Sequence, residues 1–425
     1  MHTRAADEPV GGWGSERGVT LILVGLWIFV LTAMSAFVLD YGVMWLSRRQ
    51  AQNAADAGAL AGAIARAFDE KTDPPAAGGL AETASRKAAQ ANGVWTGTLP
   101  DSAVEVLWDC PASAFGGTAG KGCVHVNVYR DGTNGSAALP TYFAPLLGVN
   151  SQQARATATA QTIPANATNC LRPFAVPDKW LENQTGPWDT SDTFDAWYKQ
   201  GNNVLPVANP DVYTPPSNLP LPDGSPGTGY TVAVDYGTQM TLKNGQASSN
   251  IQPGWYQPID VPRPGGSGSC SGGSCYRDNI ASCNGEPVNI GDYLLTETGD
   301  KVGPTNSGVT DLIAQDPDAY WDDTNKVVAG SCAPSSTCGP FSPRIIAIAI
   351  FDPDEFQQDM LGNSWPNCPG GGSCIHVRNY IGFFVESMSG NDVVGRLMMY
   401  PGILTTSPTG VGAPSAFQIV ITLVR

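Results

Sequence analysis

The sequence predicts an α+β protein with a long N-terminal membrane-spanning helix, a small α+β unit and a large antiparallel β-rich domain. Three observations lead to this fold class. An uncharged apolar run lies near the N-terminus, a proline-free, alanine-rich run follows it, and short strand-like segments separated by glycine and proline fill the rest. Among the 425 residues are 49 Gly and 34 Pro, and only 14% are charged. Soluble proteins have about 25% charged residues on average. Because this chain has fewer, we do not expect many long surface helices in it.

The apolar run extends from Val19 to Leu39 and contains no charged residue. A helix of this length rises by about 30 Å, which matches the hydrocarbon core of a bilayer. A cleaved signal peptide is the alternative, but its apolar region is usually about 7–15 residues long and ends at a small-residue cleavage site. We therefore predict an uncleaved single-pass anchor at 19–39, preceded by a cytoplasmic tail at 1–18.

Residues 40–70 are predicted to continue the anchor as one helix, because alanine favours helices and no proline interrupts this run. Small residues that let another backbone come close recur at three- and four-residue spacing. They are Ala51, Ala55, Gly58 and Gly62. This stripe is a packing face either for partner helices or for the chain's own globular domain, and the pattern is compatible with both.

All ten cysteines follow the apolar run, and disulfides persist outside the cytosol. Lysine and arginine near the two ends of the run do not fix its orientation, so the cysteines decide it. We expect the N-terminus inside and residues 40–425 outside, in the periplasm or otherwise beyond the cytoplasm. Sequence alone leaves many connectivities open. Nearest-neighbour pairing favours Cys110 with Cys123, Cys270 with Cys275, Cys332 with Cys338 and Cys368 with Cys374, which leaves Cys170 and Cys283 for each other.

Residues 71–163 are predicted to form the proximal α+β unit, and residues 164–425 the β-rich, disulfide-bonded domain. In the first, hydrophobic periodicity predicts a helix at 79–92, a helical turn at 141–147, and strands at 103–108, 123–130 and 151–163. In the second, it predicts short strands at 231–234, 240–242, 288–290 and 293–296, and buried strands at 344–351, 380–387, 393–400 and 417–425.

An Arg-Gly pair precedes the anchor, an Asp-Tyr-Gly segment ends it, and RRQAQNAADAGALAGA follows at 48–63. With these features the chain from Glu16 to Arg66 resembles the N-terminal region of the TadE/TadG-like proteins. The Gln-x-x-x-Asp-Ala-x-Ala-Leu-Ala-x-Ala pattern from Gln52 to Ala63 is the most specific part. Segments 172–180 and 291–304 are also similar to the long TadG-type members. The resemblance implies an envelope component of the Flp-type tight-adherence (Tad) pilus machinery.

The junction from Arg17 to Leu23 resembles a type IV prepilin, in which a peptidase cuts after the glycine. In pilins the fifth residue after the cut is usually Glu, whereas here it is Leu23. We therefore predict an accessory protein rather than a filament subunit.

Several site classes lack their sequence signals. The net charge of −15 argues against binding nucleic acid, which needs clustered cations. Neither Gly-x-Ser-x-Gly, His-Glu-x-x-His nor a phosphate-binding glycine loop occurs, so we predict no enzymatic activity, catalytic residue or cofactor. Three histidines and the cysteine spacings disfavour zinc. Acidic loops at 311–323 and 351–355 suit calcium less well than ordinary turns, so no metal is predicted.

Two functions remain at this stage. The first is a non-enzymatic accessory component of Flp/Tad pilus assembly in the bacterial inner membrane. Its expected partners are membrane lipid and other pilus-assembly proteins, which pack on the N-terminal helix. Copies of this chain could also associate through the same helix to form a homo-oligomer. The second is an envelope glycan- or surface-binding module or hydrolase. For the second, Asp352, Asp354 and an aromatic pair such as Trp255-Tyr256 or Tyr320-Trp321, which could stack on sugars, would have to line one cleft. Glycoside hydrolysis needs two carboxyl groups about 5–9 Å apart.

Overall fold

A computed structural model describes residues 16–68, 75–108, 123–215, 227–244, 250–262, 272–283, 285–299, 301–333, 338, 341–362, 368, 373–405 and 417–424. The chain divides into two compact units. The first takes the residues up to 66, residues 70–161 and residues 423–425, and the second takes residues 67–69 and 162–422.

The first unit combines two helices with a small antiparallel sheet. The elements, in chain order, are α1 (Glu16–Phe68), α2 (Leu80–Ala91), β1 (Val104–Leu107), β2 (Cys123–Arg130), β3 (Leu139–Pro140), β4 (Ser151–Gln152) and β5 (Ala154–Pro164). Strand β2 pairs antiparallel with β1 on one side and β5 on the other. Two short 3₁₀ turns cover Asp101–Ala103 and Ala144–Leu147.

Alternation along β2 decides which side of this sheet is buried. Val124, Val126 and Val128 are fully buried, whereas His125 and Asn127 between them are half-buried. Successive side chains of a strand point to opposite faces, so the three valines share one face. Helix α1 lies on that face, since Val124 and Val126 are the closest side chains of the sheet to Gly62 and Gly58, respectively.

The second unit is built mainly of strands. Its elements are β6 (Ala167–Thr168), β7 (Leu171–Pro177), β8 (Trp197–Gln200), β9 (Asn203–Pro206), α3 (Val232–Asp235), β10 (Gln239–Asn244), β11 (Trp255–Pro258), α4 (Gly273–Ala281), β12 (Val288–Asn289), β13 (Tyr293–Leu295), α5 (Val302–Ala314), β14 (Tyr320–Asp322), β15 (Val327–Ala329), β16 (Ile345–Phe351), α6 (Pro353–Met360), β17 (Cys374–Ser389), β18 (Asp392–Met398), β19 (Tyr400–Pro401) and β20 (Gln418–Val424).

A seven-stranded sheet organises this unit, in the order β13-β17-β16-β7-β11-β10-β18. Because β17 also pairs with β18, six of these strands close on themselves, which removes their free edges. Strand β16 reads IIAIAIF and is buried at every position, as expected for a central strand. Its Ile346, Ile348 and Ile350 join Phe174 and Phe383 in the largest group of buried apolar side chains.

The α+β fold class is confirmed, but the second unit departs from the prediction in three respects. The prediction of a strand at 231–234 is wrong, because Val232–Asp235 forms helix α3. Helices α4, α5 and α6 were not predicted. The sheet is mixed rather than purely antiparallel, because β7 runs parallel to β16 and β10 runs parallel to β11.

Tertiary packing explains why α4 and α5 were missed. Helix α5 contains Gly303, Pro304 and Gly308, a composition with low helix propensity. A Cβ atom at Gly308 would lie 2.8 Å from Cβ of Ile280 in α4, so the glycine allows close contact between α4 and α5. Burial of Ile280, Val309 and Leu312 then stabilises both helices.

Candidate functional site

Helix α1 changes its surroundings halfway along its length. From Val19 to Leu39 every side chain that the structure describes is exposed, including Leu21 at 76% and Phe29 at 73%. Within the described part of the chain, α1 is the one helix long and apolar enough to cross a membrane. Such an exposed apolar surface is unfavourable in water, which makes this half of α1 a candidate membrane anchor.

Asp40 marks the end of the apolar half. Its carboxylate oxygens accept hydrogen bonds from the backbone N–H groups of Tyr142 (2.7 Å), Phe143 (3.0 Å) and Ala144 (2.6 Å). Although charged, the residue is only 7% exposed. Hydrogen bonds to a charged acceptor are stronger than neutral ones, so Asp40 fixes the loop that starts at Tyr142 against α1.

The small-residue stripe lies in the second half of α1. Ala51, Ala55, Gly58 and Gly62 are all buried. A Cβ atom at Gly58 would lie 3.1 Å from the carbonyl oxygen of Ser85 in α2. At Gly62 it would lie 2.9 Å from Cγ1 of Val124. Of the two interpretations left open by the sequence, this geometry favours packing against the chain's own unit.

Polar side chains of the same segment attach α1 to the rest of the first unit. The side-chain amide of Gln52 donates to Asp56 (2.7 Å) and to the carbonyl of Thr157 (3.0 Å) in β5. The side-chain oxygen of Gln50 accepts from the N–H of Trp95 (2.7 Å). Among the defined positions of the pattern from Gln52 to Ala63, Gln52 and Asp56 are thus the two polar ones, and the others are alanine or leucine.

Two aromatic side chains just beyond Asp40 stay exposed. They are Tyr41 and Trp45, at 53% and 52% exposure. The guanidinium of Arg49 lies 4.8 Å from the ring centroid of Trp45. Aromatic rings and cations commonly lie where a membrane helix leaves the bilayer, so this part of α1 suits contacts at a membrane boundary.

The segment whose geometry has just been described coincides with a known family. Residues 18–67 match the Tad family model, described as "Putative Flp pilus-assembly TadE/G-like". The Tad segment therefore covers the apolar half of α1, the Asp40 boundary and the packing stripe. It ends at residue 67, one residue before the end of α1. No curated protein and no solved structure matches the chain.

Disulfides pin the loops outside the Tad segment. The structure joins Cys170 to Cys283, Cys332 to Cys338, and Cys368 to Cys374. Cys123 and Cys275 are also disulfide-bonded, and their expected partners Cys110 and Cys270 lie outside the described residues. The bond between Cys170 and Cys283 closes a loop of 113 residues, so on chain entropy it stabilises the fold by about 5 kcal/mol, against about 2 kcal/mol for a six-residue loop.

The glycan hypothesis depends on the carboxyl groups of Asp352 and Asp354, and both make hydrogen bonds at the start of helix α6. Asp352 accepts from the N–H groups of Asp354 and Glu355 at the start of α6, and it pairs with Arg378. Asp354 accepts from the indole N–H of Trp197. Both carboxyl groups therefore hold elements of the second unit together.

The aromatic pairs of that hypothesis also serve packing. Tyr256 is 1% exposed and Trp321 is 7% exposed. The hydroxyl of Tyr256 lies 3.1 Å from that of Thr305. Each proposed sugar-stacking pair therefore has one ring buried within its unit.

A buried carboxyl group lies beside Asp352. Strands β7 and β16 run parallel, and Asp178 and Asp352 follow their last residues. Burial raises the pKa of Asp178 to about 7, although it accepts hydrogen bonds from the N–H of Tyr230 and the hydroxyl of Tyr213. Burial likewise raises the pKa of Asp352 to about 6, and the nearby Arg378 partly opposes this shift.

Two of the three histidines lie in strands and have hydrogen-bond partners. His125 lies in β2 with Nδ1 2.7 Å from the hydroxyl of Thr159. His376 lies in β17 with Nδ1 2.7 Å from a carboxylate oxygen of Glu355. Within the described ranges, Asp316, Cys332 and Cys338 bring three metal-type ligands together, but the two sulfurs are bonded to each other.

We predict that Gly62→Leu lowers the free energy of unfolding by about 1–3 kcal/mol, because the added side chain would overlap Val124 and Ser85. Gly42→Leu is the matched control, since nothing lies within 4 Å of a Cβ atom there. It should be neutral, or stabilise the helix by up to about 1 kcal/mol. Denaturation of the full chain in detergent, followed by circular dichroism, measures both. Equal effects would contradict the packing role of the stripe.

We predict that Asp178→Asn stabilises the protein relative to the wild type progressively more as the pH rises from 5 to 8. The folded pKa of about 7 lies above the ordinary value of 3.8, so the unfolded chain releases its proton first. The resulting loss of stability is absent below about pH 4 and complete above about pH 7, and asparagine avoids it. Melting temperatures of both proteins across this range measure the effect.

Asp322→Asn is the control for this titration. Hydrogen bonds from the side chain and N–H of Asn325 lower the pKa of Asp322, so this carboxylate is charged throughout the range. The effect of that variant should not change between pH 5 and 8. A pH-independent effect of Asp178→Asn would contradict the raised pKa.

Proposed function

We propose that the protein is a non-enzymatic, membrane-anchored accessory component of Flp/Tad pilus assembly. The match of residues 18–67 to a Tad pilus-assembly family is the observation that supports it most directly. The uncovered apolar half of α1 supports the anchor, because no described part of the chain shields it from solvent. The inner membrane is the proposed location, with the two folded units on its periplasmic side.

The cystines support this orientation. Disulfides persist in oxidising compartments and are rare in the cytosol. The described residues include three complete cystines, all of them after the apolar half of α1. A chain anchored by Val19–Leu39 with its C-terminal portion in the periplasm satisfies both constraints.

The proposed contact with partner proteins uses the exposed surfaces of α1. In its second half the small-residue stripe is covered by α2 and β2, whereas Trp45 stays exposed. In its first half, nothing lies within 4 Å of the position that a Cβ atom would take at Gly25, so this residue offers a close approach for another helix. Partner pilus-assembly proteins, or a second copy of this chain, would pack on these surfaces within and next to the membrane.

Replacement of residues 19–39 by a leucine-alanine helix of equal length tests this function. The replacement keeps the anchor and the folded units but removes the specific helix surface. We expect the protein to remain in the membrane fraction, while the yield of pili and the co-purification of other pilus-assembly proteins fall to the level of the deletion strain.

Tyr320→Ala serves as the control. Tyr320 belongs to the second unit, is 58% exposed and is distant from α1 in the sequence. Its pilus yield should equal that of the wild type. Normal piliation with the replaced helix would mean that α1 is only a tether, and it would overturn the proposed helix-mediated packing.

A further inference from the structure

An apolar groove runs along α1 where the helix leaves its apolar half. Its volume is about 560 Å³. Its helix side includes Phe29, Phe37 and Met44, and its other side includes Phe143 and Val149. The polar groups of the lining are Asp40 and Gln152, which are hydrogen-bonded to each other (3.1 Å), and the hydroxyls of Thr32 and Tyr41.

The helix side of this groove continues the proposed membrane span. Phe29 lies eleven residues before Asp40, which is about 16 Å along the helix axis. If Val19–Leu39 crosses the bilayer, the groove extends from the membrane boundary into the hydrocarbon. The inference therefore rests on the membrane anchoring contained in the proposed function.

The other side of the groove is formed by residues 142–149, here called the interfacial loop. Its sequence is YFAPLLGV, and it has no charged residue. Tyr142 is 57% exposed and Val149 is 48% exposed. Loops in water usually present polar residues, so an apolar loop beside a membrane helix indicates a different solvent.

The backbone of the interfacial loop is suited to a medium without water. Asp40 accepts the N–H groups of Tyr142, Phe143 and Ala144. The N–H groups of Gly148 and Val149 donate to carbonyls within the loop, at 3.0 Å each. Unpaired backbone groups are costly in lipid, and this pairing removes that cost for five of the donors.

We infer that the interfacial loop is a second, non-spanning membrane contact, which dips into the outer leaflet beside α1 while lipid acyl chains fill the groove. Tyr41, Trp45 and Tyr142 are exposed near the same boundary, where tyrosine and tryptophan favour the headgroup region. The next charges after Asp40 are Arg48 and Arg49, two turns farther from the apolar half. Lipid thus accounts for the apolar lining, the aromatic rim and the paired backbone together.

Nitroxide accessibility in vesicles tests this assignment. The full chain carries one added cysteine, at Val149, Leu26 or Ile64, labelled with a nitroxide and reconstituted into phosphatidylethanolamine–phosphatidylglycerol vesicles. Collisions with oxygen, which concentrates in lipid, are compared with collisions with a water-soluble nickel chelate. Leu26 and Ile64 are 58% and 48% exposed, so they serve as the lipid and water references.

In vesicles, we expect the labels at Val149 and Leu26 to be inaccessible to the nickel chelate and the label at Ile64 to be accessible to it. Addition of Asp40→Ala should restore chelate access at Val149 but not at Leu26, because the loop loses its attachment to α1. Persistent protection at Val149 in that variant would overturn the role of Asp40.

Two other outcomes overturn the lipid contact itself. If Val149 is as accessible to the chelate as Ile64 while Leu26 is protected, the loop lies in water and only the anchor stands. Dipolar broadening between labels at Val149 would place a second copy in the groove instead of lipid. If Leu26 is itself accessible to the chelate, the membrane anchoring of the proposed function fails, and the loop assignment fails with it.

Discussion

The exposed apolar surface of α1 between Val19 and Leu39 is the constraint on which the rest depends. Burial of apolar area is worth roughly 25 cal/mol per Å², and no described part of the chain provides that burial. A bilayer does. If this half of α1 lies in lipid, helix geometry places Asp40 at the membrane boundary. The aromatic residues next to Asp40 then lie near that boundary, and the first unit lies beside the membrane.

A single helix thus joins two environments without a break. Its first half needs no polar contact, whereas its second half is held by glycine and alanine packing and by the hydrogen bonds of Gln50 and Gln52. Because α1 is continuous, the apolar half and the packing half belong to one helix, and the Tad segment from residue 18 to residue 67 includes both.

The sequence was most informative where local pattern and burial agree. Strand β16 and helix α2 were predicted within a few residues because uninterrupted apolar runs and alanine-rich periodicity dominate there. Helices α4 and α5 were missed because their glycine and proline content opposes helix formation, and contact around Gly308 outweighs it. At the candidate site, the sequence revealed the small-residue stripe but not its contacts with α2 and β2. Nor did it reveal the hydrogen bonds between Asp40 and the loop that starts at Tyr142. Both depend on residues far apart in the chain, which no local pattern encodes.

The thiol state in intact cells tests the membrane topology most directly. Cells are treated with a membrane-permeant alkylating reagent without reductant, and the intact mass of the purified protein is then compared with that of a reduced and alkylated sample. Periplasmic placement of the folded units predicts no alkylation of the ten cysteines before reduction and ten after it. Ten alkylated cysteines in the unreduced sample would place these units in the cytosol and contradict the proposed orientation of α1.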